Sequence, residues 1–489
     1  MTSGAAFAER FALKPGIALT DEQMAQLTSN IVWLVEQSVT LPDGSRQTVL
    51  APQVYLARHA QLTSTGALVA GDAMGIQASE VDNRGSTLQA SKALVLRTTG
   101  DVDNSAGAIL GGNVSLQVGN NLLTRSLTGT ERSTTGKQSS STTSVTAVSR
   151  IAATGDLSMS TGADLTMQGA QVSAAGDLTM KAGRKLTLSG VETGSEYDLS
   201  TGHGWTGMNG LPSIFGSMRR ESTYQSSTRT SVGSSVTAGG NLSVFSAGSV
   251  NIEGSQLAAG VDLAIAAQGP VNIVNSTGSN TLQMSARAAN YRSSTDLATD
   301  TIIGSKLAAG GQVLVHAGVE QGADGSLRFN PGAGKADSDL TLWGSSIVAG
   351  LNPALDGKVS LGATGRTELD APRSNFSYRS ESSQTRSGTF STTRSHEIDS
   401  RKAQTATGGT VSGSAVSVTS GSDLAIRGSA IAGSGPVSLS AGGNVIVEAA
   451  RESCQEYHLH EEKKSGMFAS ASASASASRI EGASIRAMA

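Results

Sequence analysis

Apolar residues recur along this chain as short pairs whose two members lie two positions apart. Side chains at i and i+2 leave the same face of an extended strand. The clearest stretch is 155–191, where the pair Leu157/Met159 returns 21 residues later as Leu178/Met180. Gly and small polar residues separate the pairs, so the chain turns between short strands. A fixed period of 20–21 residues predicts a solenoid of parallel strands in which each coil stacks on the one before.

The same spacing returns in two further stretches, 237–274 and 415–448. Stacked coils place such pairs on the inside, so we predict that they form the structural core. The predicted core residues are Leu157, Met159, Leu165, Met167, Leu178, Met180, Leu186, Leu188, Leu242, Val244, Val250, Ile252, Leu263, Ile265, Val416, Val418, Leu424, Ile426, Val437, Leu439, Val445 and Val447. A sandwich of short strands with coincidental spacing is the alternative.

The chain divides by pattern into four parts. Residues 1–18 are predicted to be a flexible segment. Residues 19–57 predict a short helix over 21–29 and a β-hairpin that turns at Pro42–Ser45, and together these would cap the end of the solenoid. Residues 58–448 predict the β-helix, about fifteen coils long. Residues 449–489 predict the start of a further polar segment that leaves the coil.

Ser/Thr-rich segments without an apolar face interrupt the coils at 124–150, 192–235, 276–300 and 366–410. We predict that these excursions are polar β-hairpins, with disordered loops as the alternative. In the last of them a turn at Ser387-Gly388 would place Glu381 opposite Arg394. The stretch 320–338, which holds Pro331 and four glycines, is predicted to be a plain loop.

Composition narrows the function. Aromatic residues make up only 3% of the chain, which suits a thin column better than a globular enzyme core. The net charge of −3 provides no field to attract nucleic acid. Cys454 is the single cysteine, so no internal disulfide forms. We find no signal peptide at residues 1–19 and no transmembrane segment, so an exported chain of this kind would be an internal piece of something longer.

Parallel coils of strands also occur in enzymes that cleave glycans, which need clustered carboxylates on one face of adjacent coils. Here the carboxylates Asp156, Asp164, Asp177 and Asp262 stand singly near glycines, which predicts solvent-facing corners. No phosphate-binding or dinucleotide-binding motif is present. We therefore predict no catalytic residue, no cofactor and no metal site.

Two clusters carry other chemistry. His458 and His460 would share a strand face next to Glu461 and Glu462 and could bind zinc, although a solvated surface is the favoured interpretation. A second cluster interleaves cations with aromatic rings and could bind an acidic glycan or a lipopolysaccharide phosphate, although a solvated hairpin is again favoured. Its residues are Arg366, Arg373, Phe376, Tyr378, Arg379, Arg386, Phe390, Arg394, Arg401 and Lys402.

Two stretches are distinctive as sequences. One is LTDEQMAQLTSNIVWLVEQSVTLPDGSRQTVLAPQVYL at 19–56, and the other is TAGGNLSVFSAGSVNIEGSQLAAG at 237–260. Both resemble the filamentous haemagglutinin family of two-partner secreted exoproteins, which includes the effectors of contact-dependent growth inhibition. The first is similar to the lead-in to the second haemagglutinin-repeat region of that family. The resemblance covers nearly all of residues 17–489, and it implies that the β-helix is right-handed.

The resemblance also implies a function. It suggests a non-catalytic shaft segment on the bacterial surface or in the secreted fraction, acting in adhesion and in presenting a C-terminal toxin to a contacted cell. The implied partners are an outer-membrane secretion partner of the full-length protein and a receptor or glycan on the contacted cell. The family's secretion domain and toxin are not seen in this chain. A glycan-cleaving enzyme and a host-cell adhesin unrelated to toxins remain the alternatives.

Overall fold

A computed structural model of the chain describes residues 16–17, 19, 31–40, 46–55, 66–204, 219–322, 324–333, 338–467 and 470–485. The described elements are β-strands and one 3-10 turn at Pro331–Ala333. Within the described residues, no helix is long and apolar enough to cross a membrane. The chain divides into two compact units, Met1–Gly66 and Ala67–Ala489.

The strands are numbered in chain order. The first are β1 (Ile31–Thr40), β2 (Arg46–Tyr55), β3 (Leu68–Ala78), β4 (Val81–Asp82), β5 (Thr87–Thr98), β6 (Val102–Asp103), β7 (Ala108–Gly111), β8 (Asn113–Val118), β9 (Leu122–Arg125), β10 (Leu127–Thr135), β11 (Gln138–Ala147), β12 (Arg150–Ala153), β13 (Leu157–Thr161), β14 (Leu165–Gln168) and β15 (Gln171–Ala174). Next come β16 (Leu178–Ala182), β17 (Lys185–Ser189), β18 (Val191–Gly204), β19 (Arg219–Val232), β20 (Ser235–Ala238), β21 (Leu242–Ser246), β22 (Ser249–Glu253), β23 (Gln256–Ala259), β24 (Leu263–Ala267), β25 (Val271–Val274), β26 (Ser276–Ala288), β27 (Tyr291–Ile303), β28 (Lys306–Ala309), β29 (Val313–Ala317) and β30 (Glu320–Gln321). The last are β31 (Leu327–Arg328), β32 (Leu340–Trp343), β33 (Ser346–Val348), β34 (Lys358–Ala363), β35 (Thr367–Asp370), β36 (Arg373–Ser387), β37 (Ser391–Ala406), β38 (Thr410–Gly413), β39 (Ala415–Ser420), β40 (Leu424–Arg427), β41 (Ala430–Gly433), β42 (Val437–Ala441), β43 (Val445–Glu448), β44 (Arg451–Gly466) and β45 (Ser470–Ile485).

The first unit contains an antiparallel hairpin of β1 and β2, in which Ile31 pairs with Tyr55. The indole nitrogen of Trp33 donates a hydrogen bond of 3.1 Å to the carbonyl oxygen of Ile17. A short parallel bridge joins Gly16 to Val35. The helix expected over 21–29 lies outside the described residues, and the role of end cap stays a prediction.

The second unit is built on a parallel β-helix, here called the column. One of its coils consists of β12, β13 and β14, and these pair in parallel with β15, β16 and β17 of the next coil. The register is in step from coil to coil, so Leu157 lies between Val114 and Leu178. The spacing of 21 residues thus reflects direct stacking of equivalent side chains.

The described residues contain eleven coils, fewer than the fifteen expected from chain length. The difference arises because long hairpins take up much of the sequence without adding coils. At about 4.8 Å per coil, the column is roughly 50 Å long.

The inside of the column is filled by the alternating apolar residues of every side. Leu178, Met180, Leu186 and Leu188 have no solvent exposure, and the same cluster continues from Leu88 to Ile426. Burying one such side chain stabilises the fold by about 1.5–3 kcal/mol. Of the predicted core residues, all from Leu157 to Ile426 are at most 5% exposed.

The core prediction is wrong for Val437, Leu439, Val445 and Val447, which are 38–67% exposed. They belong to β42 and β43, which stack on β39 and β40 on one side. On the other side no described coil covers them. Their apolar pattern is that of core residues, but burial requires a neighbour on both sides.

Polar side chains hold the corner that precedes the second strand in the coils from β8 to β29. The backbone N–H of Asp177 donates to Oδ1 of Asp156 at 2.9 Å, and the N–H of Asn241 donates to Oδ1 of Asp177 at 2.7 Å. A Cβ on Gly176 would lie 2.2 Å from Oδ1 of Asp156. This close approach favours glycine at such positions and explains the recurring Gly-Asp and Gly-Asn dipeptides, although Val261 precedes Asp262 in the same ladder.

In the described residues, five long antiparallel hairpins leave the column between the third strand of one coil and the first strand of the next. They follow β9, β17, β25, β35 and β43, which are every second coil. The hairpins pair with one another into a single ten-stranded sheet, here called the side sheet, in the order β10, β11, β18, β19, β26, β27, β36, β37, β44, β45.

The spacing of the hairpins explains why the side sheet is continuous. Two coils raise the column by about 9.6 Å, and two strands of a sheet occupy the same distance. One hairpin for every two coils therefore brings each hairpin to the hydrogen-bonding distance of the next. The sequence predicted polar hairpins, but it did not predict that they pair.

The prediction of a plain loop over 320–338 is wrong. Strands β30 and β31 form a short antiparallel hairpin, and the 3-10 turn follows it. The ring of Phe329 stacks on His316 of β29, with ring centroids 4.2 Å apart. This stacking anchors the segment on the outer face of the column.

Candidate interaction surface

The side sheet carries charged side chains on both of its faces, because successive residues of a strand point to opposite sides. Register places Tyr378, Arg401 and Glu456 in one row across β36, β37 and β44. Their face, which also holds Asp399 and His458, is called the Tyr378 face. The opposite face, with Arg379, Glu381, His396, Tyr457 and Glu461, is called the Glu381 face.

On the Tyr378 face, ion pairs join β37 to β44. Nδ1 of His458 lies within hydrogen-bonding distance of Oδ1 of Asp399, and Nε of Arg401 lies 3.4 Å from Oε1 of Glu456. The hydrogen bond to the Asp399 carboxylate raises the pKa of His458 above its usual value. The guanidinium of Arg401 also lies 6.0 Å from the ring centroid of Phe376, at the outer range of a cation–π contact.

On the Glu381 face, one carboxylate receives two partners. Nη2 of Arg379 and Nε2 of His396 each lie 2.9 Å from an oxygen of Glu381. The hydrogen bond from Arg379, and then that with His396, lowers the pKa of Glu381. Nδ1 of His396 is 3.7 Å from Glu461 on β44, so this group also bridges three strands.

The predicted pairing of Glu381 with Arg394 is wrong. Glu381 lies opposite Ile398, and Arg394 lies opposite Thr385. The reason is the position of the turn, which is centred on Thr389 and Phe390, two residues later than the assumed turn at Ser387-Gly388. The backbone N–H of Gly388 donates to the carbonyl oxygen of Ser391 and closes it. A turn displaced along the chain shifts the register of the whole hairpin.

The predicted cluster of cations and aromatic rings does not form one patch. Arg366 lies in the column, where its Nη2 is 3.3 Å from Glu368. Arg386 and Arg401 lie on the Tyr378 face, whereas Arg379 and Arg394 lie on the Glu381 face. Cations are thus divided between two surfaces with carboxylates among them.

The tip of the β36–β37 hairpin carries two exposed arginines beside an exposed aromatic ring. Arg386 and Arg394 are exposed, and neither forms an ion pair with any residue that the structure describes. Phe390 between them is 70% exposed. Lys463 lies opposite Arg394 on β44, which adds a further cation to the same end of the hairpin.

His458 and His460 share a face of β44, as their spacing predicted, and lie opposite Asp399 and Glu397. Within the described residues, no group of three or more His, Cys, Asp or Glu side chains is arranged to hold a metal ion. The nearest partner of His458 is a carboxylate from a strand 59 residues earlier in the chain.

The corner carboxylates of the column are engaged in structure. Asp156, Asp177 and Asp262 each accept a backbone N–H from the following coil, and Asp164 pairs with Arg184 at 2.8 Å. These contacts join one coil to the next and give the carboxylates a structural role at the corners.

A family model described as haemagglutinin repeat matches residues 129–205, 215–301 and 390–488, which together are more than half of the chain. A second haemagglutinin-repeat model matches residues 45–106. Each of the three longer matches contains strands of two hairpins of the side sheet. No solved structure matches the chain.

Among curated proteins, the chain is 28% identical over 498 residues to the 16S rRNA endonuclease CdiA of Enterobacter cloacae, a match that covers 96% of this chain and 13% of that protein. It is 25% identical to the tRNA nuclease CdiA-2 of Burkholderia pseudomallei, over 96% of this chain and 14% of that protein. The chain thus spans about one seventh of the length of these relatives. With its repeats, stacked coils and paired hairpins, the chain belongs to the haemagglutinin-repeat family, the filamentous haemagglutinin family that its sequence resembles.

Proposed function

We propose that this chain is a non-catalytic shaft segment of a bacterial surface or secreted exoprotein. The column gives it length, and the side sheet gives it a surface for contact with another cell. In this proposal the chain adheres to that cell and helps to present a toxin carried elsewhere in the full-length protein.

The tip of the β36–β37 hairpin carries the adhesive part of the proposal. Arg386, Phe390 and Arg394 are exposed there, and neither arginine has an ion-pair partner among the described residues. Arg379 and Arg401, in the middle of the same hairpin, are both paired with carboxylates. Unpaired guanidinium groups beside an exposed ring suit an anionic glycan or phosphate, because arginine binds such oxygens with two parallel hydrogen bonds. The proposed partner is an anionic glycan on the contacted cell.

The names of the relatives support the link to toxin delivery. Two of them are named nucleases, and they match this chain over nearly all of its length but only a small part of their own. The corner carboxylates of the column are engaged in contacts between coils. We therefore place catalysis outside this segment, and propose export through an outer-membrane secretion partner.

The adhesive role is tested by binding the fluorescently labelled full chain to intact Gram-negative cells, with retention measured by flow cytometry. We expect saturable binding that weakens as salt is raised, because screening reduces attraction between exposed charges. Replacing both Arg386 and Arg394 with Gln should reduce binding about tenfold or more.

Arg401→Gln is the matched control, because Arg401 lies on the same hairpin but is already paired with Glu456. We expect this variant to bind nearly as well as the unchanged chain. Equal loss in both variants, or no saturable binding at all, would contradict the role of the tip. Degradation of added RNA by the purified chain would contradict the non-catalytic role.

A further inference from the structure

A pocket of about 610 Å³ lies on the outer face of the column, beside the β30–β31 hairpin. Strands β16, β21, β24 and β29 form its floor, and Leu327 and Phe329 close one side. Its volume is within the range of small-molecule sites, and like them it is lined mainly by apolar groups. It lies on the column and is separate from the hairpin tip.

The floor of the pocket is set by the coil register. Outward-facing positions stack as Phe245, Ala266, His316 and Gly362 in four successive coils. The small side chain of Ala266 therefore separates two aromatic rings whose backbones are about 10 Å apart. Ala266 is 6% exposed, so the gap is narrow and admits the edge of one flat ring or one alkyl segment.

The far wall of this slot is fixed in place. The ring of Phe329 stacks on His316, with an interplanar angle of 22°. Gly362 provides the space, because a Cβ there would lie 2.5 Å from the Phe329 ring. Nε2 of His316 and Oγ of Ser360 are 3.1 Å apart, which orients the imidazole.

The pocket lining carries positive charge but no negative charge. None of the lining residues is acidic, and Lys181 is the single lysine or arginine among them. Lys181 makes no ion pair with the residues that the structure describes, although many surface cations of the column do. Burial lowers the pKa of His316 to about 4, so the imidazole is neutral at neutral pH. The pocket thus combines an apolar slot with one unpaired cation.

We propose that this pocket binds a small amphipathic anion, with its apolar body in the slot between Phe245 and His316 and its single anionic group on Nζ of Lys181. The apolar body is a flat ring system or a short alkyl chain. The site does not depend on the adhesive role of the hairpin tip, and each can fail without the other.

The test uses two fluorescent probes on the full chain. The probe 1-anilinonaphthalene-8-sulfonate has aromatic rings and one sulfonate, whereas N-phenyl-1-naphthylamine has the same rings without the charge. We expect both to bind the unchanged chain. Ala266→Trp fills the slot and should weaken both by about tenfold or more, which is the loss expected when an apolar site is closed.

Charge is tested by Lys181→Gln, which should weaken the sulfonate by about threefold, the size of an exposed ion pair, and leave the neutral probe unchanged. Phe329→Ser opens the far wall and is a second variant should Ala266→Trp disturb the coil. Val447→Ser is the matched control, since it removes exposed apolar surface at the end of the column and should leave pocket binding unchanged.

Equal affinity of Ala266→Trp, Phe329→Ser and the unchanged chain for both probes would overturn the proposal. So would a loss in Val447→Ser as large as that in Ala266→Trp, because the probes would then be reporting the end of the column. Equal weakening of both probes by Lys181→Gln would refute the anionic contact.

Discussion

In the column, each coil buries apolar side chains against the next, whereas in the side sheet both faces carry polar side chains that are mostly half-buried or exposed. The column is parallel and holds a continuous core from Leu88 to Ile426. The side sheet is antiparallel, and its strands are joined by backbone hydrogen bonds and by ion pairs such as Asp399 with His458. Most of the stability therefore lies in the column, and the column sets where each hairpin stands.

The largest expected change in the free energy of unfolding comes from substitutions inside the column, compared with substitutions on its outer face. Leu178→Ala removes a side chain with no solvent exposure, so it should lower the free energy of unfolding by about 2–5 kcal/mol. Thr179→Ala, which changes the next residue on the outer face, should alter it by less than about 0.5 kcal/mol. Thermal unfolding of the full chain, followed by circular dichroism, measures both. Equal melting temperatures would contradict the assignment of the core.

Acid should weaken the column at His316. The unfolded chain binds this proton near pH 6.5, but burial lowers the folded pKa to about 4. Between these values the unfolded state binds more protons, so stability falls as pH drops from 6.5 to 4, by up to about 3 kcal/mol. His316→Phe should lose this pH dependence. Titration of the His316 imidazole near pH 6.5, followed by nuclear magnetic resonance, would show the account to be wrong.

The corner ladder should show coupling between Gly176 and Asp156. Gly176→Ala places a Cβ against Oδ1 of Asp156 and should cost about 1–3 kcal/mol. Asp156→Ala removes the oxygen, so the second substitution should cost much less in that background. A double-mutant cycle measures the difference as a coupling energy. Additive effects would mean that the close approach does not determine the choice of glycine.

The smallest effect concerns the side sheet. The Asp399 carboxylate raises the pKa of His458, so the contact stabilises the docking of β44 fully below about pH 6.5 and is lost as pH rises through the higher folded pKa. We expect the His458 resonance to titrate above its usual value. Asp399→Asn should return it towards that value. If the pKa of His458 were not raised, the contact between Asp399 on β37 and His458 on β44 would be contradicted.

Much of the column was predictable because coil stacking produces a regular spacing of apolar residues in the sequence. Leu157 and Leu178 lie 21 residues apart and are adjacent in space. Val437 follows the same spacing but is exposed, since periodicity identifies a position without identifying its neighbours. The depth of burial therefore needed the structure.

Less of the surface was predictable, because its contacts join residues that are far apart in sequence. The shared face of His458 and His460 follows from their spacing, but the partner Asp399 comes from another hairpin. Phe329 stacks on His316, but Phe329 lies in the segment 320–338, which was predicted to be a plain loop. The sequence did contain one signal for the side sheet that was not used. In three places, two coils at a spacing of 21 residues separate successive excursions, which is the spacing that lets the hairpins pair.

The rise of two coils along the column equals the width of two strands in the side sheet, and this match makes the side sheet continuous. Deletions test it most directly. Removing residues 234–254 takes out one coil and joins Gly233 to Ser255, which is equivalent to Ser234 in the next coil. Removing 234–304 takes out two coils with one hairpin and joins Gly233 to Ser305, again an equivalent position. The first deletion breaks the match, and the second preserves it.

Hydrogen exchange measured by mass spectrometry at residues 221–229 of β19 gives the answer, because this segment pairs with β26 in the unchanged chain. We predict that the one-coil deletion loses protection there while Leu178–Ala182 in the column stays protected. The two-coil deletion should keep protection in both places, with β36 replacing β26. Full protection of 221–229 after the one-coil deletion would contradict the account.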